Sequence, residues 1–123
     1  MPDKKTVILV DKNLFFSTKV SANLRRMGYS VEVESTFEGV KNKAGPETDA
    51  VILNLSAPGL DAMEIIKNLK RAPETSRIPL IGFGGHKEQG LFQVALDLGC
   101  DRVITNSAIA SDLHALLGQA EKS

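Results

Sequence analysis

Short, continuous apolar runs alternate along this chain with stretches in which apolar residues recur every three or four positions. Thr6-Val-Ile-Leu-Val10 is the first run. It is rich in β-branched residues and reads as a strand buried on both faces, as in a parallel sheet. From Phe16 the period changes, because Phe16, Val20, Leu24 and Met27 recur at helical spacing. Asn13 fits the N-cap of that helix and Gly28 the position that stops it. Tyr29-Ser-Val-Glu-Val33 reads as a second strand, and Phe37, Val40 and Ala44 mark a short helix before Gly45-Pro46.

Val51, Ile52 and Leu53 form a third buried strand, with Asn54 at its carboxyl end. Pro58-Gly59 is a turn signal, and Asp61 three residues before Glu64 has the spacing of a capping box. The helix so opened buries Ile65 or Ile66 together with Leu69 and ends before Pro73. Ile78-Pro-Leu-Ile-Gly-Phe83 reads as strand four, followed by a Gly84-Gly85-His86 loop. Leu91, Val94, Ala95 and Leu98 mark one face of helix four, stopped by Gly99. Asp101-Arg-Val-Ile-Thr105 is strand five, and Asn106-Ser107 leads into helix five, with Leu113, Leu116, Leu117 and Ala120 facing inward. Five strands alternating with five helices predict a doubly wound α/β fold in one domain over residues 1–123. The flavodoxin-like strand order 2-1-3-4-5 suits this length.

Composition narrows the function classes. Fifteen basic and fifteen acidic residues cancel, which argues against a nucleic-acid partner. No apolar run approaches the roughly 18 residues of a membrane span. The single cysteine, Cys100, has no internal disulfide partner and points to the reducing cytoplasm. It reads as a small buried hydrophobe. His86 has no second histidine or cysteine spaced to join it as a ligand, and His114 falls on the polar, exposed side of helix five. Gly82, Gly84 and Gly85 do not spell a dinucleotide fingerprint. Arg25, Arg26, Lys67, Lys70 and Arg71 read as ordinary solvated helix faces.

In the predicted topology, Asp11-Lys12, Asn54, Gly84 and Asn106 meet at one rim of the sheet, where open α/β sheets place their ligands. The chain from Thr6 to about Leu117 resembles the response-regulator receiver family. The resemblance lies in the Val10-Asp11 start, the Pro58-Gly59 loop, the Ile78-Pro79 start of strand four and a Gly99-Cys100-Asp101 stretch where that family commonly has Gly-Ala-Asp. It implies a receiver-like fold and a pocket for phosphoryl transfer to an Asp. That chemistry needs an ionised carboxylate nucleophile, hard oxygens for Mg²⁺ and a Lys to neutralise the transferred group.

Position by position this sequence departs from the pattern. Asn54 stands where the phosphoacceptor Asp would be, and Lys12 replaces one acid of the metal-binding pair. Gly84 falls at the hydroxyl position and Asn106 at the Lys. Ser107 stands where the family has Pro, and Val103 where it has an aromatic switch residue. The expectation is an atypical receiver, a pseudo-receiver, with no catalytic residue, bound metal or cofactor. It would act in signalling by recognising a protein partner without phosphorylation, through the face of helix four, strand five and helix five. Phe92, Val103 and Ile109, with Ala110, are the candidates for that surface. Half-burial of the same residues is the alternative. A competing expectation is a small-molecule or anion sensor using Gly84, Gly85 and Asn106. Another is phosphorylation at a neighbour such as Ser56, which cannot form an acyl phosphate. Lys12 has two expected placements: in the vacated cation position against Asp11 and the Asn54 carbonyl, or out in solvent.

Overall fold

Alternation of strands built on apolar runs with amphipathic helices produces the expected layers. The structure, a computed structural model, describes residues 5–85 and 89–105. The strands are β1 (Thr6–Val10), β2 (Ser30–Glu34), β3 (Thr48–Asn54), β4 (Leu80–Gly84) and β5 (Arg102–Thr105). Between them run helices α1 (Leu14–Arg26), α2 (Phe37–Lys43), α3 (Ala62–Arg71) and α4 (Gln89–Leu98). All strand pairs are parallel, in the order β2-β1-β3-β4-β5. Four helices are therefore described where five were expected. The expected helix five, with Leu113, Leu116, Leu117 and Ala120, lies outside the described residues, as do His86, Asn106, Ser107, Ile109, Ala110 and His114. None of the described helices is long and apolar enough to cross a membrane.

The two-residue period of the strands divides the core between the faces of the sheet. Ile8, Val10, Val51, Leu53 and Leu80 pack with Val40 of α2, Ile65, Ile66 and Leu69 of α3, and Ala95 of α4. Val7, Leu9, Ala50, Ile52, Ile81 and Phe83 pack with Val20 and Leu24 of α1. Among the described residues, nine large side chains, including Phe83 and Ile52, are fully buried. At about 25 cal/mol per Å² of apolar surface, each such burial contributes about 1.5–3 kcal/mol, which makes the sheet a rigid support for its loops.

The helix stops and starts are set locally. Gly28 and Gly99 hold φ of +99° and +122°, the left-handed conformation that ends α1 and α4. Asp61 caps α3, its side chain accepting the Glu64 N–H at 3.2 Å. Thr36 does the same for α2, accepting from Gly39 at 3.0 Å.

Three expectations need correction. In α4, Val94 is 44% exposed, whereas Phe92 packs against the core. The buried arc is centred on Ala95. At about 100° per residue, Phe92 lies about 60° from that centre and Val94 about 100°. Met27 is past the last residue of α1 and half out in solvent. Lys70 is more than a solvated face. Its ammonium pairs with Asp101 at 3.1 Å, and its stem lies against Gly99, where an added Cβ would come within 2.9 Å of Lys70 Cγ.

The Gly99-Cys100-Asp101 stretch has a physical explanation. Gly99 turns the chain and Cys100 is buried, its thiol facing the carbonyls of Leu80 and Arg102 at 3.5 and 3.4 Å. Burial pushes that thiol up to about 11. Asp101 accepts the Leu80 N–H through Oδ2 at 2.8 Å, while its own N–H donates to the Leu80 carbonyl. This pairing starts the β4–β5 ladder and brings Thr105 opposite Gly84.

Candidate functional site

The candidate pocket lies where β1, β3 and β4 end. Register places Val10 beside Leu53 and Asn54 beside Phe83. Asp11 and Asn54 are therefore carried onto adjacent strand ends, each nearly sealed from solvent. Gly84, the last residue of β4, is buried on the next strand.

Both polar residues fold the chain after them in the same way. Asp11 Oδ1 accepts the Asn13 N–H two residues on at 2.9 Å. Asn54 Oδ1 accepts the Ser56 N–H at 3.1 Å. Asp and Asn favour such turns because their short side chains imitate a backbone carbonyl. The turn at Asp11 leads into α1, where the Asn13 carbonyl takes the Ser17 N–H at 2.9 Å. The turn at Asn54 leads into the loop of Pro58 and Gly59.

The second bond at Ser56 also fixes which way the Asn54 amide points. A backbone N–H only donates, so the atom facing Ser56 must be the carbonyl oxygen. The amide nitrogen then faces Asp11 and donates to its Oδ1 at 3.0 Å, a buried bond across 43 residues of sequence. Asp11 Oδ1 thus receives two N–H donors. Its Oδ2 is buried with no partner among the described residues. The backbone around the pair is held as well, with Asp11 N–H donating to Glu34 and Leu55 N–H to Phe83 at 3.1 and 2.8 Å.

Lys12 does not take the vacated cation position. It is exposed and makes no hydrogen bond or ion pair among the described residues. Its side chain runs across the Gly59 turn, where an added Cβ would meet Lys12 Cδ at 3.7 Å and Nζ at 3.8 Å. The carbonyl oxygen expected to receive Lys12 is already engaged by Ser56. A groove of about 400 Å³ opens beside these loops, lined by Asp11, Lys12, Val33, Glu34 and Ser35. It faces β2, away from Gly84. Among the expected pocket residues, the structure brings Asp11 and Asn54 into contact, leaves Lys12 at the surface and sets Gly84 on the next strand. Asn106 lies outside the described residues. The role of Ser56 was missed. Its signal was the repeated Asx-x-donor spacing of Asp11/Asn13 and Asn54/Ser56.

No protein-family model matches the chain. Among curated proteins it is 28% identical over 112 residues to the alkaline phosphatase synthesis transcriptional regulatory protein PhoP of Bacillus subtilis, covering 90% of this chain and 46% of that protein. It is 27% identical over 114 residues to the phosphate regulon transcriptional regulatory protein PhoB of Pseudomonas aeruginosa, covering 92% and 50%. The chain thus spans about half the length of these two relatives. Among solved structures, the receiver domain of the sensor histidine kinase PA1611 from Pseudomonas aeruginosa superposes with a TM-score of 0.83 at 21% identity, over 98% of this chain and 99% of that one. Relatives and structural neighbours together support the response-regulator receiver family.

The PA1611 receiver was crystallised with a magnesium ion coordinated in its active-site cleft. The donor set of the present receiver fold does not fit such an ion. A hard divalent cation wants several oxygens, most of them charged. Here Asp11 Oδ1 is occupied by two N–H groups, the Asn54 amide turns its N–H face to that carboxylate, and position 12 carries a cation. Among the described residues, no group of three or more His, Cys, Asp or Glu could hold a metal.

Proposed function

We propose that the chain is a pseudo-receiver of a two-component-type signalling system, which recognises a protein partner in one conformation without phosphorylation. The observation that carries this reading is the Asn54 amide, hydrogen-bonded to Asp11 where receiver chemistry requires an ionised nucleophile. An amide cannot form the acyl phosphate, and the neighbouring Lys12 ammonium leaves the pair of positions with no net charge to attract a metal. In this reading the domain is not an enzyme, works in the cytoplasm and does not bind nucleic acid. The balanced charge of the chain supports the last point.

The partner would dock on the face built from α4 and β5. Phe92 and Val103, first candidates for that surface, are half-buried against the core, so the outward apolar residues of α4 are Val94 and Leu96. Ile109 remains a candidate from outside the described residues. A sensor function has one observation in its favour, the groove beside Lys12 and Glu34, which is not where Gly84 and Gly85 lie.

Incubation with acetyl phosphate, and separately with a phosphorylated histidine kinase, tests the reading. The expected result is no incorporated phosphoryl group and an unchanged ¹H–¹⁵N spectrum on addition of beryllofluoride. Label on the domain that alkali and hydroxylamine release, or saturable shifts at Asp11, Asn54 and Gly84, would refute it.

A further inference from the structure

The disagreement between this pocket and a divalent cation centres on Asn54, the one side chain that spans both loops. We infer that Asn54 is a positioning residue that takes over the cross-linking a cation performs in a carboxylate pocket, and that by doing so it excludes the cation. Its carboxamide is held at both ends. The carbonyl accepts from Ser56 within its own loop, and the amide nitrogen reaches Asp11 on the neighbouring strand end. The two loops that a metal would join, after β1 and after β3, are thereby joined by an N–H···O bond between residues only 4% and 5% exposed.

The exclusion follows from polarity. A cation approaching Asp11 meets N–H dipoles from Asn54 and Asn13, both oriented with hydrogen toward the site. The Asn54 oxygen that would have to turn toward the ion is engaged by a backbone donor that cannot reverse its role. The lone pairs left over belong to Asp11 Oδ2, which solvent does not reach. A buried carboxylate needs donors or a counter-charge, and here the amide is the donor that crosses between the loops. The inference deepens the pseudo-receiver reading by naming what holds its single conformation. It needs no partner, so the two fail separately.

The test compares wild type, Asn54→Asp and Asn54→Ala in thermal melts with and without Mg²⁺. Wild type is expected to melt at the same temperature in both. Asn54→Asp, with two carboxylates face to face, is expected to melt several degrees lower without Mg²⁺ and to recover saturably as Mg²⁺ is added. Asn54→Ala is expected to melt lower and not to respond. A saturable rise for wild type, or an Asn54→Asp protein indifferent to Mg²⁺, would overturn the inference. Should either variant fail to fold, wild type alone decides. With Mn²⁺ added, the amide resonances of Asp11, Asn13 and Ser56 are expected to stay sharp, and selective broadening of them would overturn the inference.

Discussion

Removing the Asp101 carboxylate tests whether the β4–β5 ladder depends on an acceptor or on a charge. Two partners share Asp101 Oδ2: the Leu80 N–H at 2.8 Å and the Lys70 ammonium at 3.1 Å. Leu80 is almost fully buried, so Asp101→Ala leaves its N–H without this acceptor. An unsatisfied buried donor costs about 1–3 kcal/mol. The ion pair adds little, because the Asp101 side chain is 52% exposed and exposed pairs contribute about 0–1 kcal/mol. Asp101→Ala is therefore expected to destabilise the domain by about 1–4 kcal/mol. Asp101→Asn keeps an oxygen for Leu80 and is expected to cost about 1 kcal/mol or less. Lys70→Met keeps the stem over Gly99, loses the pair and the exposed 3.4 Å bond to the Ser76 carbonyl, and is also expected to cost below about 1 kcal/mol. Urea denaturation followed by circular dichroism measures all three. If Asp101→Asn or Lys70→Met is as damaging as Asp101→Ala, charge pairing holds the strand and the argument from the buried N–H is wrong.

Further outcomes are expected elsewhere in the molecule. Deamidation of Asn54 requires the Leu55 nitrogen to attack the carboxamide carbon. That N–H is bound to the Phe83 carbonyl and the amide is held at both ends, so prolonged incubation at neutral pH followed by peptide mass spectrometry is expected to find Asn54 intact. The Cys100 thiol, raised by burial from 9.0 to about 11, is expected to react with a disulfide reagent only as the protein unfolds. Because its folded value lies above its unfolded one, the stability linked to Cys100 is complete below pH 9.0 and is lost as pH rises toward about 11. Cys100→Ala is expected to flatten that part of a stability-against-pH profile, and an unchanged slope would contradict it. On α4, Val94→Glu with Leu96→Lys is expected to abolish capture of the proposed signalling partner while leaving the melting temperature within about 4 °C of wild type, since surface changes usually cost within about ±0.5 kcal/mol each. Retained binding would move the docking surface off α4.

Much of this protein was decided by its sequence. Continuous apolar runs at Thr6–Val10 and Val51–Leu53 had to be strands covered on both faces, and Gly28 and Gly99 had to end helices, because these are consequences of side-chain period and backbone sterics. The residue types at positions 12, 54 and 84 were likewise legible, since an ammonium, an amide and a hydrogen carry their chemistry with them wherever they fold. The tertiary structure alone decided how those residues are arranged. Lys12 was a plausible filler of the vacated cation position, but Ser56 claims the Asn54 oxygen, so the amide supplies the donor to Asp11 and Lys12 goes to the surface. In α4, helical spacing admitted two neighbouring arcs, and only the position of Ala95 against the sheet chose Phe92 over Val94. Lys70 reads as part of a solvated helix face and Asp101 as the start of strand five, and only strand pairing brings the two, 31 residues apart, together at Leu80. Local pattern determines which elements form and which chemistry is available. The partner of each polar group depends on contacts between strand ends that are distant in sequence, and no periodicity records those contacts.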